Sequence, residues 1–281
     1  MLKLNHISKS FQGHAVLEDI TFQIKEGESI LLLGANGAGK STLLKIIMQM
    51  IRQDHGKMIW NIKRPQIGYV PQAPSMIANL TVKQFASYVL ALHGRKAQTF
   101  DVLQQAGLEA KSKVLAEDLS VGQMKRLLFQ LAAATKPKLL ILDEPTAGMD
   151  MEAKQIFRKQ LSAAREDGAS LLLTSHILSE AEELTDRLLY LEGGVIKEDR
   201  TINEIRLRKQ SISFRTVGRN NTLLVSMGYM YKEGIFHKLS NDAAEDLKYL
   251  IEKGIQLKQL EIKGDTLERY VDELHKKEMR S

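Results

Sequence analysis

An α/β fold with a parallel sheet at its centre is the architecture this sequence predicts, and three observations carry it. Five short apolar runs, at 29–33, 67–70, 139–142, 170–174 and 188–191, are mostly continuous rather than alternating, as strands covered on both faces require. Helical patterns lie between them. The first of these runs passes through a glycine-rich turn directly into a helical pattern, the strand-loop-helix order of a phosphate-binding loop.

The remaining elements follow in chain order. Residues 2–24 alternate more like an antiparallel β subdomain, with Gln12-Gly13-His14 as its turn. Helical runs separate the later strands, and Glu192-Gly193-Gly194 reads as a hairpin turn between two short strands. From about residue 205 the pattern changes to a β-like stretch at 212–217, an Asn220-Asn221 turn, and helical runs at 242–253 and 266–277. The chain therefore divides into 1–204 and a small α+β domain at 205–281.

Composition narrows the function classes. The 281 residues are 43% hydrophobic and 26% charged, the balance of a folded chain rather than a disordered one. Lys and Arg number 40 against 34 Asp and Glu, and residues 205–281 hold 15 of the former and 11 of the latter, so most of the positive excess lies outside the first domain. A solvated helical surface accounts for that excess more simply than a patch for phospholipid or a permease loop. Zero cysteines exclude a disulfide framework and any cysteine-liganded metal. The densest apolar stretch, 127–134, is short and interrupted by Gln130, and Met1-Leu2-Lys3-Leu4 lacks the pattern of a signal peptide. The expectation is a cytoplasmic protein whose membrane role, if any, comes through a partner.

The phosphate loop carries the first chemistry. Gly34-Ala35-Asn36-Gly37-Ala38-Gly39-Lys40-Ser41-Thr42 fits G-x-x-x-x-G-K-[ST], with a strand before it and a helix after it. Glycines let successive backbone N–H groups point inward, and the helix N-terminus adds partial positive charge. Lys40 is placed for the β/γ-phosphates and the Ser41 hydroxyl for Mg²⁺, so the chain is expected to bind a nucleoside triphosphate. The run ending in Asp143-Glu144-Pro145 supplies two acids. In such an enzyme the first holds Mg²⁺ and the second accepts a proton from the attacking water.

At this point the sequence resembles the ATP-binding cassette (ABC) ATPases. Asp118-Leu119-Ser120-Val121-Gly122-Gln123 is similar to the family signature, and Ser120 with Gln123 also makes a capping-box pattern before the apolar helix face of Met124, Leu127, Leu128, Leu131 and Ala132. Phe11 resembles the aromatic residue that stacks on adenine, Gln72 the Q-loop glutamine, Asp150 after Gly148-Met149 the D-loop aspartate, and His176 the switch histidine. Their order matches the family across roughly seven-tenths of the chain.

The resemblance implies a parallel-sheet core, an antiparallel β subdomain and a helical subdomain, with ATP and Mg²⁺ as cofactors. It also implies two cassettes packed head to tail. Each ATP then lies between the loop of one, with Gly34, Asn36, Gly37, Gly39, Lys40, Ser41, Thr42 and Phe11, and the Ser120, Gly122 and Gln123 end of the other. In that scheme Glu144 is the general base, Asp143 and Gln72 serve Mg²⁺ and the lytic water, His176 contacts the γ-phosphate, and Asp150 lines the seam. Val121 stands where the family usually has glycine, with its side chain expected to point away from the phosphate. The spacing from Lys40 to Gln72 is shorter than in many relatives and implies a trimmed β segment at 58–62.

Asn79-Leu80-Thr81-Val82, the helix after it and the C-terminal extension are most similar to ATPase subunits serving separate permeases in bacterial export. The resemblance implies a motor subunit of an exporter, partnered by a second ABC ATPase subunit and an integral membrane permease, at the inner face of the cell membrane. The alternative is an ABC-type ATPase acting on a soluble partner. Against a nucleic-acid role stands the lack of a basic stripe with stacking aromatics.

Overall fold

The computed structural model describes residues 1–61, 66–74, 76–216 and 221–278. They form two compact units, 1–199 and 200–281.

The first unit opens with β1 (Leu2–Phe11) and β2 (His14–Ile24), an antiparallel pair joined at Gln12 and Gly13, both with positive φ, as a two-residue hairpin requires. Next come β3 (Ser29–Leu33), α1 (Lys40–Ile47), β4 (His55–Trp60) and β5 (Ile67–Val70). β4 overlaps the segment expected at 58–62 and pairs antiparallel with β1; Ile62 lies outside the described residues. Then follow α2 (Val82–Leu92), α3 (Thr99–Ala106), α4 (Val121–Ala134), β6 (Leu139–Asp143), α5 (Met151–Glu166) and β7 (Ser170–Thr174). α6 (Leu178–Leu184), β8 (Arg187–Glu192) and β9 (Val195–Thr201) complete the series.

The central sheet runs β5-β6-β7-β3-β8-β9, parallel from β5 through β8. All five residues of β3 and of β7 are buried, which explains their continuous apolar sequence. One core joins Leu4 and Ile20 of the antiparallel sheet to Ile30 and Leu32 of β3 and to Leu43 and Ile46 of α1. A second packs α2, α3 and α4 through Phe85, Leu103 and Leu127. A third sets Phe129 of α4 edge-on to Phe157 of α5, with ring centroids 4.9 Å apart, against Leu140 and Leu171. α4 contributes to both of the latter cores.

The second unit contains α7 (Ile202–Arg208), β10 (Gln210–Thr216), α8 (Asn221–Ser226), β11 (Met230–Lys232), β12 (Ile235–Ser240), α9 (Ala243–Glu252), β13 (Leu257–Gly264) and α10 (Leu267–Glu278). From β10 to β13 the order is βαββαβ, and the sheet order β11-β12-β10-β13 with antiparallel pairing is that of the ferredoxin-like split βαβ motif. Ile212, Phe214, Tyr229, Phe236 and Leu250 make its core. α7 groups with this unit rather than with the first. Its Arg206 carbonyl accepts from the Asp265 N–H at 3.0 Å, and Arg208 pairs with Glu273 of α10. Val217 and Asn220, part of the expected strand and turn, lie outside the described residues. Among the described residues no helix is long and apolar enough to cross a membrane.

Candidate functional site

The loop between β3 and α1 is shaped by close backbone approach. A Cβ on Gly34 would lie 2.1 Å from the Leu191 carbonyl oxygen, and one on Gly39 would lie 2.8 Å from that of Val16. Gly39 caps α1 at φ 104° with no side-chain hydrogen bond, which leaves the first N–H groups of the helix for an anion. Lys40 Nζ donates to the Gly34 carbonyl at 2.6 Å and the Ala35 carbonyl at 2.9 Å. Burial pulls the Lys40 pKa down, while the charges of Glu144 and then Asp143 oppose that shift.

A cavity of about 280 Å³ gathers the predicted groups: Asn36, Gly37, Gly39, Lys40, Ser41 and Thr42 from the loop, then Gln72, Asp143, Glu144 and His176. Val16 also lines it, a position the sequence did not flag. A larger cavity of about 560 Å³, walled by Val102, Phe129, Gln130 and Ala163, lies elsewhere and includes none of the predicted site residues. Chemistry, not size, distinguishes the smaller cavity.

The acids stand at the end of β6, opposite Thr174 of β7 in register. Thr174 Oγ1 donates to Asp143 Oδ1 at 2.5 Å and accepts from the Glu144 N–H at 3.0 Å. Glu144 adopts φ 47°, a left-handed conformation that costs a non-glycine residue energy and persists where the surroundings hold it. Its carbonyl accepts from Lys125 Nζ at 2.6 Å. His176 Nε2 lies 2.7 Å from Glu144 Oε1; the histidine side chain is 54% exposed and the carboxylate 15%. Thr174 and Lys125 hold the two acids' turn, and sequence reasoning missed both. Thr174 closes the apolar run at 170–174, and Lys125 stands beside Arg126 on a helix with an apolar face; neither pattern gives the residue a role.

The other expected residues sit outside the cavity lining. Phe11 ends β1, 45% exposed, with the Lys9 ammonium 5.3 Å from its ring centroid. Ser120 forms the full capping box of α4: its hydroxyl accepts from the Gln123 N–H at 3.3 Å, and the Ser120 N–H donates to Gln123 Oε1 at 3.2 Å. Val121 opens the helix, is half exposed and is absent from the left-handed residues, so its branched side chain is compatible with the backbone. Gly122 follows beside Met149, and Asp150 caps α5 through the Ala153 N–H at 2.8 Å.

The sequence and the fold have relatives among known proteins. The family model described as ABC transporter matches residues 17–147. A Nod factor export ATP-binding protein I of Rhizobium johnstonii is 36% identical over 208 residues, covering 69% of this chain and 67% of that protein. The chain belongs to the ABC transporter ATPases. A spermidine/putrescine import ATP-binding protein, PotA, of Mycoplasma mycoides is 30% identical, covering 73% of this chain and 62% of that protein. The chain thus spans about two thirds of the length of these ABC relatives. A solved ABC cassette, a dimer in a post-hydrolysis state bound to ADP and Pi, superposes with a TM-score of 0.65 at 26% identity, covering 72% of this chain and 99% of that one.

Proposed function

We propose that this chain is the ATP-binding and ATP-hydrolysing motor subunit of an exporter of the ABC type, working with a second cassette and a separate integral membrane permease. The observation that carries this reading is the convergence of Lys40, Ser41, Gln72, Asp143, Glu144 and His176 on one cavity. In this reading residues 1–204 are the ATP-binding domain and 205–281 an accessory domain, and the subunit sits at the inner face of the membrane through the permease. The relatives named for export support that direction; PotA, named for import, supports the opposite one.

The loop N–H groups and Lys40 hold the phosphates, with Asn36, Gly37, Gly39 and Thr42 around them. Phe11 stacks on the base. The Ser41 hydroxyl, the Asp143 carboxylate and the Gln72 amide oxygen are hard oxygen donors on one cavity, a set that suits Mg²⁺ with phosphate oxygens completing the shell. When bound, Mg²⁺ supplies neutralisation of charge developing on the transferred phosphoryl group. Glu144 takes the proton of the attacking water, and His176, now against Glu144, turns to the γ-phosphate.

Ser120, Gly122 and Gln123 serve the partner's nucleotide, with Asp150 at the seam. A mixing experiment tests this sharing. Lys40→Ala and Ser120→Arg chains should each be inactive alone and regain hydrolysis when mixed, because one composite site then keeps both halves. No recovery in verified mixed dimers contradicts the shared site.

A further inference from the structure

Lys125 is 1% exposed, and among the described residues no carboxylate pairs with its ammonium group. Its two acceptors are backbone carbonyls, Glu144 at 2.6 Å and Ala147 at 3.1 Å, both in the turn that follows β6. A buried cation held by neutral oxygens alone is a costly arrangement. Burial accordingly lowers the Lys125 pKa, with the nearby Glu144 and Asp143 charges acting against the shift. The same residue is gripped from its other end by Thr174, whose side-chain and main-chain oxygens both accept from the Glu144 N–H. Glu144 is thus fixed at both ends while holding φ 47°.

We infer that Lys125 is a positioning residue for Glu144: its ammonium group holds the Glu144 and Ala147 carbonyls so that the Glu144 carboxylate faces the phosphate cavity, and ties this turn to α4. The inference rests on the proposed reading of Glu144 as general base. Lys125 thereby ties the Glu144 turn to the helix that Ser120 caps five residues before it.

The test compares full-length wild type, Lys125→Met, Lys125→Arg, Glu144→Gln and the Lys125→Met/Glu144→Gln double variant. Lys125→Met keeps an apolar stem of similar size and removes the donors. We expect kcat to fall about 10–100-fold, the scale of a misplaced catalytic group. Equilibrium ATP affinity should stay within about twofold, because the phosphate-loop contacts remain. Lys125→Arg should restore most of the loss. In the Glu144→Gln background, Lys125→Met should lower residual hydrolysis no further, since it acts through a base already removed. Should Lys125→Met fail to fold by near-UV circular dichroism, Lys125→Gln carries the same comparison. Unchanged turnover in a folded Lys125→Met or Lys125→Gln overturns the inference, as does an equal further loss in the Glu144→Gln background. Near-wild-type turnover in Glu144→Gln alone overturns instead the reading of Glu144 as base.

Discussion

Thr174 Oγ1 bridges two consecutive residues at the end of the adjacent strand: it donates to the Asp143 carboxylate Oδ1 at 2.5 Å and accepts from the Glu144 backbone N–H at 3.0 Å. One hydroxyl therefore orients both acids, each of which has a different proposed task. Its position at the end of β7, in register with Asp143, makes the bridge possible.

Thr174→Val keeps the shape and removes the hydroxyl. Thr174 is buried, so the Asp143 oxygen loses a donor that water cannot readily replace. Unfolding stability should drop by about 1–3 kcal/mol, the cost of an unmade buried hydrogen bond. Chemical denaturation measures this, and ATP turnover should fall in parallel. A variant as stable and as active as wild type contradicts the bridge.

Lys40→Ala removes the ammonium group that now rests on the Gly34 and Ala35 carbonyls. These contacts are within the loop, so the fold should survive while ATP binding is lost. Isothermal calorimetry with ATP checks it, and unchanged affinity contradicts the phosphate role.

Acid should loosen the second unit through Glu273. Lys209 first, and Arg208 with it, hold this carboxyl at about 2, below its ordinary 4.5. A carboxyl whose folded pKa is depressed contributes stability above its unfolded pKa and loses it as pH falls toward the folded value. The contribution of this pair is therefore present above about pH 4.5 and disappears toward pH 2. Glu273→Gln should flatten the fall in melting temperature across that window. An identical slope in wild type and variant rules the linkage out.

Much of this was legible in the sequence because it is local. Gly34 to Thr42 are contiguous, and the capping box of Ser120 and Gln123 spans a single helical turn. The buried strands announced themselves by unbroken apolar runs. What stayed hidden depends on partners distant in sequence: Thr174 reaches Asp143 across 31 positions and Lys125 reaches Glu144 across 19. A threonine does not declare that it will serve a carboxylate on the next strand, nor a lysine that its partners are backbone carbonyls. The ferredoxin-like order was likewise obscured, because β11 is only three residues long, too short to show a period.

The central claim is that Glu144 is the base of an ATP-hydrolysing cassette, and steady-state ATP turnover of Glu144→Gln, measured beside ATP binding on the same sample, tests it most directly. Turnover should fall about 10²–10⁴-fold, the usual worth of a positioned general base, while ATP remains bound. Turnover near that of wild type, with the substitution verified, contradicts the account.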